Sequence, residues 1–357
     1  MGIISKERHD MNTKSRFDRA LERFEKDVNI SFAGPVPLSL LARQDLESVI
    51  VVLSDRGTPF RDKVTRAKGE GLAHLWNQRT RLDTVAEGPA GLVNLFYADG
   101  QLPSQQDPTY VQKTAAYKYL GTTAVITGPM IASGRSYIDI EAEIAEAALR
   151  RIIQAEEWAI FNGDSSVSPL SFDGFSVQIV TNVVNNLAAA LTATGVTIPA
   201  FDKVIKLIRN QGGTKLDAIF CSFGIQTVIN QIIAPAARYF IQNDANIDAL
   251  KAGANVVSYQ SPIGPVPVVG DFFVNAALPY PFAAYAGSSG SAGNIVSNVY
   301  FLRYDDQGCQ MIDLVPIGRT ELAKIADTVR FYLNEYTVLA LKGEPWVGKL
   351  INVSDPA

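Results

Sequence analysis

Residues 60–130 restrict what this chain can fold into more than any other stretch. Two segments, roughly 71–85 and 109–127, flank a middle rich in Gly, Pro, Asp and Gln. Within 109–127, Tyr110, Thr114, Tyr117, Tyr119, Thr122, Thr123, Val125 and Ile126 carry the β-branched and aromatic bias of strands. A long segment without helical periodicity is uncommon inside a compact domain. The pattern therefore predicts a two-stranded loop that projects outward. A lone ribbon of two strands is marginally stable in water, so it must lie against something else.

The flanking sequence is more conventional. Residues 1–30 hold seven Lys/Arg and six Asp/Glu, with Phe17, Ala20, Leu21, Phe24 and Val28 at helical spacing. A frayed amphipathic helix and an arm that orders against a neighbouring subunit both satisfy that pattern. Leu38, Leu41, Ala42, Leu46, Val49, Ile50 and Leu53 suggest a second helix, stopped by Arg56-Gly57-Thr58-Pro59. The strongest helix follows the ribbon. Ser136 and Asp139 resemble a capping box, and Ile140 to Phe161 contains neither Gly nor Pro. Asn162-Gly163 should end it with left-handed backbone. Further helices are expected at 200–211 and at 223–233, the latter capped by Ser222 and stopped by Pro235. Strands are expected at 255–260, 265–270, 298–304 and 309–315, with a flexible loop at 284–297. Residues 326–341 and 346–353 read as closing strands, which completes an α+β class.

Chemistry is harder to find. The only histidines are His9 and His74, so no multi-histidine metal site can be built. Cys221 and Cys309 read as buried thiols. MGIISKERHD lacks the apolar region of a signal peptide, and no apolar run is long enough to span a membrane. A soluble protein made in a reducing compartment is expected. With 357 residues, two or three folding units fit the length. Charged residues make up 19%, below the usual ~25%, which favours a surface buried in an assembly. The net charge of −4 argues against direct nucleic-acid binding, which needs clustered Lys and Arg.

Three enzyme-like patterns fail. Gly343 to Lys349 has phosphate-loop spacing, but Leu350 stands where Ser or Thr should bind magnesium. Gly163-Asp164-Ser165 resembles the block of GDS-type serine hydrolases, but no histidine follows His74 to activate the serine. Glu156-Glu157 and Asp305-Asp306 are adjacent pairs; neighbouring helix residues diverge by about 100°, and both pairs read as solvated faces. No catalytic, cofactor-binding or metal residue is expected.

The order of elements resembles a known family. A helical arm leads to Gly57-Thr58-Pro59-Phe60-Arg61-Asp62-Lys63, and the excursion then passes through Asp99-Gly100-Gln101-Leu102-Pro103. It returns by Lys118-Tyr119-Leu120-Gly121 to a long helix ending Glu156-Glu157-Trp158-Ala159-Ile160-Phe161-Asn162-Gly163-Asp164, and then reaches Phe172-Asp173-Gly174-Phe175. This resembles the major capsid protein of tailed bacteriophages, with the Hong Kong 97-type fold shared by encapsulins.

The resemblance implies an N-terminal arm at 1–60 and an extended loop at 61–127. It implies a peripheral domain at 128–185 and 318–357, with a long spine helix, and an axial domain at 186–317. It further implies a self-assembling subunit forming pentamers and hexamers of an icosahedral or prolate head that encloses double-stranded DNA without sequence-specific binding. The virion would be its location, after assembly in the host cytoplasm. A separate scaffolding protein, a portal and a decoration protein would be its partners. Some members cross-link a loop lysine to a neighbour, but residues 69–112 contain no lysine, so a non-covalent shell is expected. Arg79, Arg81, Asp83, Glu87 and Asp99 are the expected intersubunit contacts. The alternatives are an encapsulin-like compartment enclosing a cargo enzyme, and a soluble enzyme of small oligomeric state.

Overall fold

Two short apolar runs, Ala218-Ile219-Phe220-Cys221 and Val299-Tyr300-Phe301-Leu302, organise the interior. Successive strand side chains point to opposite faces, so an unbroken apolar run needs a core on both sides of its sheet. The computed structural model has that arrangement. It describes residues 56–81, 96–103, 105, 107–134, 138–186, 197–241, 258–274, 295–324 and 326–355. The chain divides into a unit of residues 1–51, outside the described residues along with the arm helix expected there, and a unit of residues 52–357. The second expected helix, at 38–53, also lies outside them.

In chain order the strands are β1 (Arg66–Lys68), β2 (Ala73–Arg81), β3 (Thr109–Ala116), β4 (Lys118–Thr127), β5 (Val183–Asn185) and β6 (Ala218–Cys221). They continue with β7 (Ser258–Ser261), β8 (Gly264–Gly270), β9 (Ile295–Leu302), β10 (Cys309–Glu321), β11 (Thr328–Leu341) and β12 (Gly348–Asp355). One sheet has the order β1-β10-β11-β4, a second β5-β12-β9-β6-β8-β7, and β2 pairs only with β3. Ala218, Phe220, Tyr300 and Leu302 enter a core shared with Met311, Ile312, Val338 and Leu339 of the four-stranded sheet. Ile219, Cys221, Val299 and Phe301 enter a second core on the opposite face. The six-stranded sheet is thus a wall between two cores.

Five helices complete the described fold: α1 (Gly128–Gly134), α2 (Ile140–Asn162), α3 (Phe175–Gln178), α4 (Ile198–Asn210) and α5 (Phe223–Ile241). Helix α4 buries Phe201, Val204, Ile205 and Ile208, an i, i+3, i+4, i+7 stripe, against the second core. Helix α2 is the expected long helix. Its cap is Asp139 alone, whose Oδ1 accepts from Glu141 N at 3.1 Å and Ala142 N at 3.3 Å; Ser136 lies outside the described residues. Among the described residues, no helix is long and apolar enough to cross a membrane.

Two expectations of local geometry change. Gly163 does end α2, but with φ −58° rather than left-handed backbone. Glycine is needed there because a Cβ would lie 2.3 Å from Phe172 O and 2.5 Å from Ala159 O. Helix α5 continues through Pro235 to Ile241, since a proline forfeits one helical hydrogen bond without preventing the chain from resuming its helix. The segment 318–357 supplies a strand to each large sheet: β11 pairs with β10 and β4, while β12 pairs antiparallel with β9 and parallel with β5. Of the loop expected at 284–297, residues 295–297 begin β9 and the rest lie outside the described residues.

Candidate functional site

The β2–β3 ribbon has one face that the described residues of the chain leave uncovered. Its strands run antiparallel, with Ala73 opposite Ala116, Trp76 opposite Lys113 and Arg79 opposite Tyr110. Residues directly opposite share a face. One face therefore carries His74, Trp76 and Gln78 with Ala115, Lys113 and Val111. It turns toward the molecule: Trp76 packs at the margin of the first core, His74 stacks on Trp76 at 5.7 Å, and Gln78 Nε2 donates to Lys342 O. Burial and the nearby Lys342 ammonium hold the His74 pKa below the usual imidazole value.

The other face carries Leu75, Asn77 and Arg79 with Thr114, Gln112 and Tyr110. All six are exposed, Leu75 at 57% and Tyr110 at 64%. Neither strand contains an acidic residue, and Arg79 has no ion pair among the described residues. Arg81 is the last residue of β2, beyond a register shift, opposite Thr109. Asp99 stands exposed in the turn closed by Gln101 N to Ala98 O. Asp83 and Glu87 lie outside the described residues. The structure thus places Arg79 and Arg81 on one strand and Asp99 in a separate turn. Apolar candidates were missed by a choice of charged residues alone. Phe96, Tyr97 and Leu102 flank Asp99, with Leu102 93% exposed, and the unusual signal was apolar side chains within a Gly/Pro-rich stretch.

The base of the ribbon is anchored by buried charge. Glu156 and Glu157, expected on a solvated face, are both fully buried. They do diverge around the helix, but the segment 56–66 covers both directions. Glu156 pairs with Arg61 and Arg66. Arg66 also reaches Asp313 and Glu335, each at 2.9 Å. Burial opposes its charge, yet Glu156, Asp313 and Glu335 together hold the Arg66 guanidinium above its ordinary pKa. Burial, then repulsion from Glu156, pushes the Glu335 carboxyl up to about 7 despite Arg66. Glu157 accepts Phe60 N at 2.8 Å and Arg61 N at 2.9 Å. Phe60 itself is buried at the first core. Among the described residues, no three His, Cys, Asp or Glu side chains are grouped to hold a metal ion. The arrangement fixes a strand hairpin to a rigid body and offers its free face outward. Among the described residues, no nucleophile or acid–base pair stands on that outer face.

A family model described as SU10 major capsid protein matches residues 26–354. The chain belongs to that family. This major capsid protein has the Hong Kong 97-type fold, and solved structures resemble it across most of its length. The capsid of a native GTA particle is 15% identical, with a TM-score of 0.58, covering 89% of this chain and 96% of that one. The structure titled Mycobacterium phage Bobi is 10% identical, with a TM-score of 0.56, covering 88% and 96%. The holo-SrpI encapsulin complex from Synechococcus elongatus is 10% identical, with a TM-score of 0.58, covering 88% and 94%. At such identities the likeness is one of fold. No curated protein matches this capsid protein significantly. Its role is structural, as the shell-forming protein of a phage-type capsid.

Proposed function

We propose that this capsid protein closes an icosahedral or prolate head of pentamers and hexamers around double-stranded DNA, through repeated non-covalent contacts between copies. The supporting observation is the ribbon's outer face, whose Leu75, Arg79 and Tyr110 no described residue of its own chain covers. A heterologous contact repeated around a ring buries such a face without needing it to be self-complementary. Arg79, Arg81 and Asp99, with Asp83 and Glu87, are the proposed polar contacts to the neighbour. The absence of lysine from 69 to 112 supports a shell without covalent cross-links.

In this reading residues 1–60 form the arm, 61–127 the extended loop, 128–185 with 318–357 the peripheral domain, and 186–317 the axial domain. Strand β12 then ties the two domains through the six-stranded sheet. A separate scaffolding protein directs assembly in the host cytoplasm, with a portal and a decoration protein as further partners. Well-formed shells made by this chain alone would remove the need for the scaffold.

Purified particles test the contact surface. Boiled in denaturant they are expected to run as monomers, and Arg79→Glu is expected to lower particle yield at least tenfold while leaving the subunit folded. Covalent multimers, or undiminished yield from the variant, would contradict the reading. The encapsulin neighbour favours one alternative, a compartment enclosing a cargo enzyme. Nuclease-protected DNA inside the particles separates the two.

A further inference from the structure

Glu157 of α2 and Asp271, which follows β8, are both fully buried. Their carboxyl groups lie in hydrogen-bonding contact with each other. Two carboxylates have no donor to share, and Asp271 Oδ2 is left without a partner when both are ionised. The remaining oxygens are engaged. Glu157 accepts the backbone N–H groups of Phe60 and Arg61, and Asp271 Oδ1 accepts Phe273 N at 2.8 Å.

Among the described residues, no cation pairs with either group. From the segment 56–66, Arg61 turns its guanidinium to Glu156, Arg56 lies over the Phe272 ring at 3.5 Å, and Lys63 lies toward the Phe220 ring. Arg66 of β1 is held by Glu156, Asp313 and Glu335. Cys221 of β6 approaches Asp271 from the six-stranded sheet, and burial pushes the Cys221 thiol up to about 12, so it stays neutral.

We propose that Glu157 and Asp271 hold one proton between them, and that this shared proton is a latch. It joins three segments distant in sequence: the arm-to-ribbon junction at 60–61, the end of the long helix, and the turn after β8. Loss of the proton to hydroxide leaves two adjacent buried carboxylates, whose repulsion frees Glu157 from Asp271 and loosens its grip on the Phe60 and Arg61 amides. Burial and the facing Asp271 push the Glu157 carboxyl up to about 9, and Asp271 is also raised by burial. The sign follows. Unfolded, both groups ionise near the usual carboxylate values, whereas the folded pair keeps one proton until about pH 9. The latch therefore contributes its full stability in acid, and loses it by up to about tenfold in the folding equilibrium per pH unit as pH rises toward that value. The ribbon's attachment is thus alkali-sensitive, whatever shell the chain builds.

Asp271→Asn tests the latch, because its Nδ2 supplies a permanent donor to Glu157 while its Oδ1 can still accept from Phe273 N. Infrared spectra of the full-length protein are recorded at about pH 8, above the Glu335 value of about 7 and below the Glu157 value of about 9. The wild type is expected to show a protonated buried carboxyl that disappears in stronger alkali; Asp271→Asn is expected to lack it. Amide exchange over residues 56–66, corrected for intrinsic rate, should accelerate at least tenfold through the same range in the wild type and stay level in the variant. Absence of the wild-type band, or the same pH response in both proteins, overturns the proposal. If Asp271→Asn fails to fold, the wild-type titration decides alone: a band lost together with the amide protection upholds the latch, and no band, or one unlinked to that protection, sinks it.

Discussion

Phe60→Ala is expected to cost about 3–5 kcal/mol, the range for removing a fully buried phenylalanine. Phe60 is 0% exposed and meets Phe161, Phe175 and Phe220 edge-on, with ring centroids at 5.6, 5.2 and 5.3 Å. Its ring also meets Tyr304 at 6.4 Å. Those partners come from α2, α3, β6 and the turn after β9, so one side chain locks the start of the ribbon's base into the first core. The backbone cannot shift to fill the gap. Val64 N donates to Phe60 O, and Glu157 holds the Phe60 amide. Against a total stability of roughly 5–15 kcal/mol, the loss is a large share. Denaturant midpoints of the unassembled subunit measure it, with Phe60→Leu expected to lose less than half as much. A cost below about 1 kcal/mol would mean that the junction is not packed as described.

Glu156→Ala is the second large effect. It removes the one carboxylate that pairs with both Arg61 and Arg66. Stripping one partner from a buried ion pair typically costs about 3–5 kcal/mol, because a charge is left unpaired. Here both arginines keep some contact with water, and Arg66 retains Asp313 and Glu335, so about 3 kcal/mol is expected. Glu156→Gln should be milder, since it keeps an acceptor. A pH signature accompanies the loss. The raised Glu335 value means that its contribution is complete in acid, below its unfolded value, and is lost as pH rises through about 7. Glu156 is part of what raises it, so Glu156→Ala should flatten the stability profile in that window. An unchanged slope would show that Glu156 does not set the Glu335 value.

How much of this could be read beforehand depends on range. The helix at 140–162 was legible because its signals are local: an acidic cap and a run without Gly or Pro. The ribbon was legible for the same reason. Strand β6 was not, because Ala218 to Cys221 is only four residues and feeds two cores, which erases the alternation that marks a half-buried strand. The partner of β12 was not legible either, since Leu350 meets Val299, some fifty residues earlier, and strand propensity says nothing about pairing. On the ribbon, Arg79 was chosen for its charge, and the exposed Leu75 and Tyr110 were passed over because apolar residues in strands usually point inward. Glu156 and Glu157 were misread because acidic helix residues are usually solvated. Only the fold reveals that residues 56–66 lie across them.

The central claim is that this chain works by contact between copies. Electron microscopy of the protein purified from its native source tests that most directly. Closed shells of many copies, with subunits in five- and six-fold rings, are expected. A preparation containing only small oligomers would contradict it.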